Sequence, residues 1–293
     1  MVAILREEMW NLLPETTEVS ANVAYAPELD ASCTMDVYRP RNARGAGVLF
    51  INSGGFRSGI FSQHSIDDDD RAHFLPWNEI SVQGMAAPVP ILEQFSFAPL
   101  LAAGICTFDA RHPSGPDASL ERIVRAIRLA VEFVEDHAKG FGIDPSRVGL
   151  WGCSSGGYLA LLEALSNPNP RASRTVVAYY PGGYDFPAEA ERFPEVIEGL
   201  PLENGTQTLS ELSLGSHVRG SRVQALAIYG ESDHPTINTT CESLARDVET
   251  GALSGRVKRL PGIGHQFMAK DGYSEEAGRR ALTALSEWFE EHL

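Results

Sequence analysis

The sequence has few cysteines, and none of them forms a pair at metal-ligand spacing. Cys33, Cys106, Cys153 and Cys241 lie far apart along the chain. Such spacing signals neither a zinc site nor a disulfide framework. Cys106 and Cys153 fall within apolar runs, where a thiol behaves as a small buried hydrophobe. We therefore expect no metal site built from cysteines.

Basic residues are also scarce. The chain has 24 Lys and Arg residues against 39 Asp and Glu residues, which gives a formal net charge of −15. A surface of this sign repels phosphate backbones and anionic lipid headgroups, although the same charge also serves simple solubility. We therefore expect no nucleic-acid partner.

Long hydrophobic runs are missing. No stretch approaches the roughly 20 apolar residues that a membrane span requires, and residues 1–15, MVAILREEMWNLLPE, carry acids and a Trp where a signal peptide would be apolar. These features predict a soluble, cytoplasmic protein without a membrane partner.

Repeats and low-complexity tracts are absent too, and short apolar runs alternate instead with longer helical patterns. At 293 residues and 43% hydrophobic content, residues 1–293 can form one large α/β domain. The apolar runs predict strands at 34–40, 46–52, 104–111, 147–153, 174–180, 223–230 and 255–261.

Helices are predicted between these strands. Over residues 117–139, apolar residues from Leu120 to Val134 recur at three- and four-residue spacing, as on one face of a helix. Further helices are predicted at 155–166, 236–249 and 274–292. Alternation of helices with nearly continuous apolar strands is typical of a mostly parallel sheet covered on both faces.

Two stretches exceed ordinary connections, residues 57–95 and residues 182–220. Long segments in compact domains are commonly functional, and both of these follow a predicted strand at its carboxyl end, where ligands bind in open α/β sheets. We interpret them as cap or lid insertions. Asp67 to Asp70, in the first, lack the spacing of a calcium loop and indicate a solvated acidic segment.

The stretch LWGCSSGG, residues 150–157, places two serines between small residues where a strand ends and a helix begins. Gly152 to Gly156 fit the GxSxG pattern in the context of a nucleophile elbow, so Ser154 is the predicted nucleophile. Glycines are needed because neighbouring backbone approaches closely in this turn. Ser155 would contribute a backbone N–H towards charge on an attacked carbonyl.

Chain order supports this interpretation. A serine nucleophile of this type requires an acid and then a histidine, each after a late strand. Asp233 follows the strand ending at Gly230, and His265 lies in a glycine-flanked turn after the next strand. Glu231 follows the same strand as Asp233, and extended geometry alone does not exclude it.

From Met35 to the C-terminus, the chain resembles the α/β-hydrolase carboxylesterases related to hormone-sensitive lipase and to bacterial feruloyl-type esterases. The segments that carry the resemblance are MDVYRP (35–40), FDARHP (108–113), GIDPSRVGLWGCSSGGYLALL (142–162), GESDHP (230–235) and GIGHQF (262–267). The resemblance implies the α/β-hydrolase fold, with Ser154 as nucleophile, His265 as general base and Asp233 as the orienting carboxylate. It also implies a structural role for Arg111.

One segment departs from the family pattern. The family carries His-Gly-Gly-Gly and an aromatic residue after its third strand, whereas this chain reads Asn52-Ser53-Gly54-Gly55-Phe56. The N–H groups of Gly54 and Gly55 can still form an oxyanion hole with that of Ser155. Asn52 is then expected to brace the loop in place of the histidine.

The predicted activity is hydrolysis of a small-molecule carboxylic ester through an acyl-enzyme, without metal or organic cofactor. An amidase or peptidase on the same triad stays open, as do a lyase or dehydratase and a ligand-binding member of the fold. Self-association into a homo-oligomer also stays open.

Two residues beside the oxyanion loop are candidates for substrate binding. Arg57 can clamp a substrate carboxylate or pair with an acid of the protein. Phe56 belongs to an aromatic group that can line a pocket or pack in the core under the cap; its other members are Phe61, Phe74, Trp77, Phe95 and Phe97.

Overall fold

The computed structural model describes residues 17–59, 94–169, 174–192, 202–203 and 208–293. Its main feature is an eight-stranded sheet. The strands of this sheet are β1 (Thr17–Ala24), β2 (Thr34–Pro40), β3 (Ala46–Ile51), β6 (Ile105–Ala110), β7 (Val148–Cys153), β8 (Thr175–Tyr179), β9 (Gln224–Gly230) and β10 (Ser254–Leu260). Their order across the sheet is β1-β2-β6-β3-β7-β8-β9-β10. Two short hairpins stand apart from it, formed by β4 (Ser53–Gly54) with β5 (Arg57–Ser58) and by β11 (Met268–Ala269) with β12 (Gly272–Tyr273).

Helices connect most of these strands. In chain order they are α1 (Ala98–Ala102), α2 (Leu120–Asp136), α3 (Ala138–Phe141), α4 (Ser155–Ser166), α5 (Phe186–Arg192), α6 (Leu209–Leu212), α7 (Gly215–Val218), α8 (Pro235–Glu249) and α9 (Glu275–His292).

The sheet confirms the seven predicted strands, each within one residue at either end. Strands β6, β3, β7, β8, β9 and β10 run parallel, as predicted, while β1 and β2 add an antiparallel edge. Strand β1 was not predicted, because all its residues, TEVSANVA, are exposed or half-buried and its pairing shifts register between Ser20 and Val23. An edge strand with little burial has no clear alternating pattern.

The helix over residues 117–139 is shorter than predicted. Helix α2 begins after Ser119, whose hydroxyl accepts a hydrogen bond from Arg122 N at 3.1 Å, and it ends at Asp136. A capping serine satisfies a free backbone donor and so defines the helix start. The other three predicted helices correspond to α4, α8 and α9 with ends that differ by at most one residue.

Both faces of the sheet are covered by apolar side chains. Helices α2 and α4 pack on one face, and α1 and α9 pack on the other, while all residues of β3, β6 and β7 are buried. Phe95 and Phe97 lie on the face that α1 and α9 cover, where they pack against Phe50 and Trp151. These two aromatics therefore belong to the core, whereas Phe61, Phe74 and Trp77 lie outside the described residues.

The two predicted insertions are described only in part. Residues 60–93 of the first lie outside the described residues, and so do Asp67 to Asp70. The second contributes α5, α6 and α7, and its buried Phe186 packs edge-on to Tyr158 of α4 with ring centroids 5.4 Å apart. The described helices therefore rest on the helix that follows Ser154.

All four cysteines are free and buried, as predicted for Cys106 and Cys153. Among the described residues, no group of three or more His, Cys, Asp or Glu side chains could hold a metal ion. In the same part of the chain, no helix combines the length and apolar character that crossing a bilayer would require.

A buried ion pair joins the antiparallel edge to the parallel sheet. Arg111, directly after β6, makes two hydrogen bonds to the carboxylate of Asp36 on β2, at 2.9 and 3.0 Å. Its Nε donates to Thr34 Oγ1 at 2.9 Å, and its carbonyl oxygen accepts from the Tyr25 hydroxyl at 2.6 Å. The expected structural role of Arg111 is confirmed.

We predict that Arg111→Ala destabilises the fold. The Asp36 side chain is fully buried, so the variant leaves its charge without a counter-ion, a change that costs about 3 to 5 kcal/mol. Arg39→Ala is the matched control, because the pair that Arg39 forms with Glu18 is exposed on both sides and should contribute little. Urea unfolding followed by circular dichroism measures both; equal midpoints for the two variants would contradict the prediction.

Candidate active site

The carboxyl ends of the parallel strands meet at one edge of the sheet, and the predicted site residues all follow these ends. Residue 52 comes after β3, Ser154 after β7, Asp233 after β9 and His265 after β10. In open parallel sheets this edge is where ligands bind. The topology therefore gathers segments that are up to about 200 residues apart in sequence.

Ser154 lies on a strained turn between β7 and α4. Its backbone has φ 54° and ψ −122°, a conformation that residues with a side chain rarely adopt. A Cβ at Gly152 would lie 2.2 Å from the carbonyl oxygen of Gly156, and one at Gly156 would lie 2.4 Å from that of Ile51. The expected close backbone approach at both glycines is confirmed.

The two neighbours of Ser154 are less available as nucleophiles. Cys153 is 1% exposed, and burial raises the pKa of its thiol well above the usual value, so it stays protonated. The Ser155 hydroxyl is buried and accepts a hydrogen bond from Phe56 N at 3.0 Å, while it lies 3.1 Å from Ser53 Oγ. Ser154 is half-buried, and its hydroxyl makes no hydrogen bond among the described residues.

His265 and Asp233 are in direct contact. The Nδ1 atom of His265 lies 3.0 and 3.2 Å from the two carboxylate oxygens of Asp233, whose side chain is fully buried. The backbone N–H of His234 donates to the same carboxylate at 2.7 Å. Glu231, by contrast, forms an exposed ion pair with Arg259 and accepts from Gly262 N.

Tyr179 and Tyr180, at the end of β8, contact the Ser154 turn and the ring of His265 respectively. The N–H of Ser154 donates to the carbonyl oxygen of Tyr179 at 2.9 Å, and the ring of Tyr180 lies 4.6 Å from that of His265. Within the described residues, the Nε2 atom of His265 has no hydrogen-bond partner. The imidazole thus keeps one nitrogen unoccupied on the side away from Asp233.

The loop after β3 folds into a tight hairpin beside the start of α4. Its two turn residues, Gly55 and Phe56, have φ values of 57° and 61°, as a type I′ turn requires. Phe56 is held on both sides, because its N–H donates to Ser155 Oγ and its carbonyl oxygen accepts from Gly115 N at 3.0 Å. The hairpin therefore presents Gly54 and Gly55 next to the helix N-terminus.

The role of the Ser155 hydroxyl in this contact was not predicted. Sequence reasoning assigned only the backbone N–H of Ser155, since a serine at a helix start needs no further explanation. No pattern in the sequence signals that this hydroxyl reaches residues about 100 positions earlier.

Asn52 anchors the base of the hairpin. Its side chain is fully buried, and Nδ2 donates to Asp109 Oδ1 at 2.9 Å. Its backbone N–H donates to the carbonyl oxygen of Ala110 at 3.1 Å, and its own carbonyl oxygen accepts from Gly59 N at 3.2 Å. These bonds connect the loop to the end of β6.

Arg57 has no ion pair or hydrogen bond in the described part of the chain, where its Nη1 atom is nevertheless excluded from solvent. Side chains alternate along β5, and Ser58 points inwards to accept a hydrogen bond from His112 N, so Arg57 points to the opposite face of the hairpin. Phe56 is half-buried and packs edge-on to Tyr158, with ring centroids 5.8 Å apart.

Comparisons with known proteins agree with this fold. Residues 93–192 match the model of the BD-FAE family, an α/β-hydrolase esterase family. No curated protein matches the chain.

Several solved structures with a similar fold are esterases. A truncated carbohydrate esterase from gut microbiota shares 18% identity at a TM-score of 0.69, covering 95% of this chain and 98% of that chain. An inhibited esterase B from Lactobacillus rhamnosis shares 17% identity at a TM-score of 0.68, over 99% and 92% of the two chains. Thermogutta terrifontis esterase 2, phosphoramylated by tabun, shares 17% identity at a TM-score of 0.64, over 94% and 95%. The chain therefore has the α/β-hydrolase fold, and the family model and solved structures that it resembles are those of esterases.

Proposed function

We propose that the protein hydrolyses small-molecule carboxylic esters through an acyl-enzyme on Ser154. The observation that carries the proposal is the buried Asp233 carboxylate in contact with His265 Nδ1, at the same sheet edge as the strained Ser154 turn. A strained serine, a histidine and a buried acid together form the usual apparatus of serine acyl transfer. The esterase family model over residues 93–192 supports the same chemistry.

In the first step, Ser154 Oγ attacks the ester carbonyl while His265 Nε2 takes its proton. The contact with Asp233 keeps the remaining proton on Nδ1, so Nε2 carries the lone pair that accepts the serine proton. The buried carboxylate then stabilises the imidazolium. Because hydrogen bonds of catalytic groups commonly tighten only with substrate bound, the unoccupied Nε2 suits this role.

Negative charge on the tetrahedral oxygen is stabilised by backbone N–H groups of Gly54, Gly55 and Ser155. Ser155 is the first residue of a 12-residue helix, so its N–H also carries the positive end of the helix dipole. The Phe56–Ser155 hydrogen bond keeps the glycine hairpin against this helix end. Donors fixed in advance need no reorganisation during the reaction.

In the second step, the protonated His265 gives its proton to the leaving alcohol, and water then attacks the acyl-enzyme with His265 as base. These steps need no metal or organic cofactor. We further propose that residues 57–95 and 182–220 form a cap over this edge of one domain. The free, buried thiols are typical of a reducing compartment and support a cytoplasmic location.

A phosphonate probe should label Ser154 and not Ser155. Ser154→Ala should lose about 10⁶ in turnover of a short-chain aryl ester, because the nucleophile is removed. Peptide mapping by mass spectrometry locates the adduct, and circular dichroism checks the fold of the variant. Ser155→Ala serves as a control that should still be labelled at Ser154. An adduct on Ser155, or turnover by Ser154→Ala near that of the parent, would refute the assignment.

The matching anilide, assayed beside the ester, tests amidase activity.

Asp233→Asn should lower kcat by about 10⁴ near neutral pH, since the amide removes the charge that stabilises the imidazolium. Glu231→Gln is the matched control, because Glu231 follows the same strand but faces Arg259. Its kcat should stay within a few-fold of the parent. Parallel kcat measurements on the two folded variants decide between the two acids. A larger loss of kcat in Glu231→Gln than in Asp233→Asn would assign the orienting carboxylate to Glu231.

Arg57→Gln should weaken binding of esters that carry a carboxylate, because the clamp interpretation gives the unpaired guanidinium an anionic partner in the substrate. We expect KM to rise by about 10-fold for a monoester of a dicarboxylic acid, with little change for a neutral ester of equal length. Steady-state kinetics with the two esters tests this. Equal effects on both substrates would show that Arg57 does not recognise the charge.

A further inference from the structure

Tyr180 lies directly after β8 with its ring buried against the ring of His265. The residue is 1% exposed, and the two ring centroids are 4.6 Å apart at an interplanar angle of 61°. Its backbone N–H donates to the carbonyl oxygen of Ile228 on β9 at 2.7 Å, which fixes the residue between the two strands. In this edge-on contact, the buried aromatic ring packs directly against the imidazole.

The Tyr180 hydroxyl begins a short hydrogen-bonded path to the backbone beside His265. The hydroxyl donates to Gln94 Oε1 at 2.9 Å, and Gln94 Nε2 donates to the carbonyl oxygen of Gln266 at 3.4 Å. Gln94 is fully buried. Burial raises the pKa of Tyr180 well above its usual value, so the hydroxyl keeps its proton and remains a donor.

The backbone that this path reaches is strained. Gln266 and Phe267 both have positive φ values, 55° and 58°, and neither is glycine. Conformations of this kind cost about 1 to 3 kcal/mol each and persist only where surrounding contacts hold them. Here Phe267 is fully buried and packs edge-on to both Tyr179 and Tyr180 at 5.3 Å.

We infer that Tyr180 and Gln94 are positioning residues that hold the imidazole of His265 at the angle needed to accept the Ser154 proton. Asp233 contacts His265 at Nδ1 alone, and a ring held at one atom can still rock about that contact. The Tyr180 ring limits this motion from the side, and Gln94 secures the strained turn that carries His265. This inference rests on the proposed function of His265.

The chain contains a matched control at the preceding residue. Tyr179 is also fully buried, but its hydroxyl has no hydrogen-bond partner in the described structure. Tyr179→Phe and Tyr180→Phe each remove one buried oxygen and keep the ring. Only the second removes the hydrogen bond to Gln94.

We expect Tyr180→Phe to lower kcat for an aryl ester by about 10-fold with KM unchanged, since a displacement of about 1 Å can cost up to 10² in rate. Tyr179→Phe should keep the kcat of the parent. Phosphonylation of Ser154 by a neutral probe should slow in parallel with kcat in Tyr180→Phe. Gln94→Leu should lower kcat by a similar factor. In the double variant Tyr180→Phe/Gln94→Leu, the loss in kcat should be smaller than the product of the two single losses, because both residues act through one path.

The outcomes separate the inference from the proposed function. If Ser154→Ala is inactive while Tyr180→Phe keeps the kcat of the parent, the positioning role is wrong and the triad stands. The positioning role is equally wrong if Tyr179→Phe is as slow as Tyr180→Phe, or if Tyr180→Phe changes only the melting temperature. If Ser154→Ala stays active, the proposed function itself fails.

Discussion

The close approach between the turn after β7 and the end of β3 is the constraint on which the site depends. At Gly156 there is room for a hydrogen atom only, because a side chain would lie 2.4 Å from the carbonyl oxygen of Ile51. This contact brings the start of α4 against the loop that follows β3. Ser155 can therefore reach Phe56, while Ser154 occupies the strained turn just before the helix. A larger residue would separate the proposed nucleophile from the proposed oxyanion donors.

Buried polar groups support this arrangement from the end of β6. Asp109 accepts a hydrogen bond from Asn52, Arg111 pairs with Asp36, and His112 donates its N–H to Ser58 Oγ. The first and third of these bonds hold the hairpin after β3, and the second holds β2. Because a buried polar group is costly without its partner, these contacts favour one position of the hairpin over alternatives. The loop that would bind the developing charge is thus fixed by a strand that contributes no catalytic group.

Much of the fold was predictable because its signals are local. Continuous apolar runs predicted the buried strands, and three- and four-residue spacing predicted the long helices. Strand β1 was not predicted because an exposed edge strand has little hydrophobic pattern. The predicted start of α2 was wrong because Ser119 caps the helix, so the polar residues before it are not helical. For Phe95 and Phe97 the sequence allowed either a pocket lining or a core position, since an aromatic residue looks the same in sequence in both settings. Their packing on Phe50 and Trp151 shows that they belong to the core.

The sequence by itself determined the order of the strands along the chain, the GxSxG turn at Ser154, and the acid and histidine at the ends of β9 and β10. These depend on residue type and short spacing. Only the tertiary structure decided that Asp233 and not Glu231 contacts His265, that the Ser155 hydroxyl holds the hairpin, and that Tyr180 and Gln94 adjoin the imidazole. Contacts between residues far apart in sequence depend on how strands and loops pack together, and no local pattern in the chain records them.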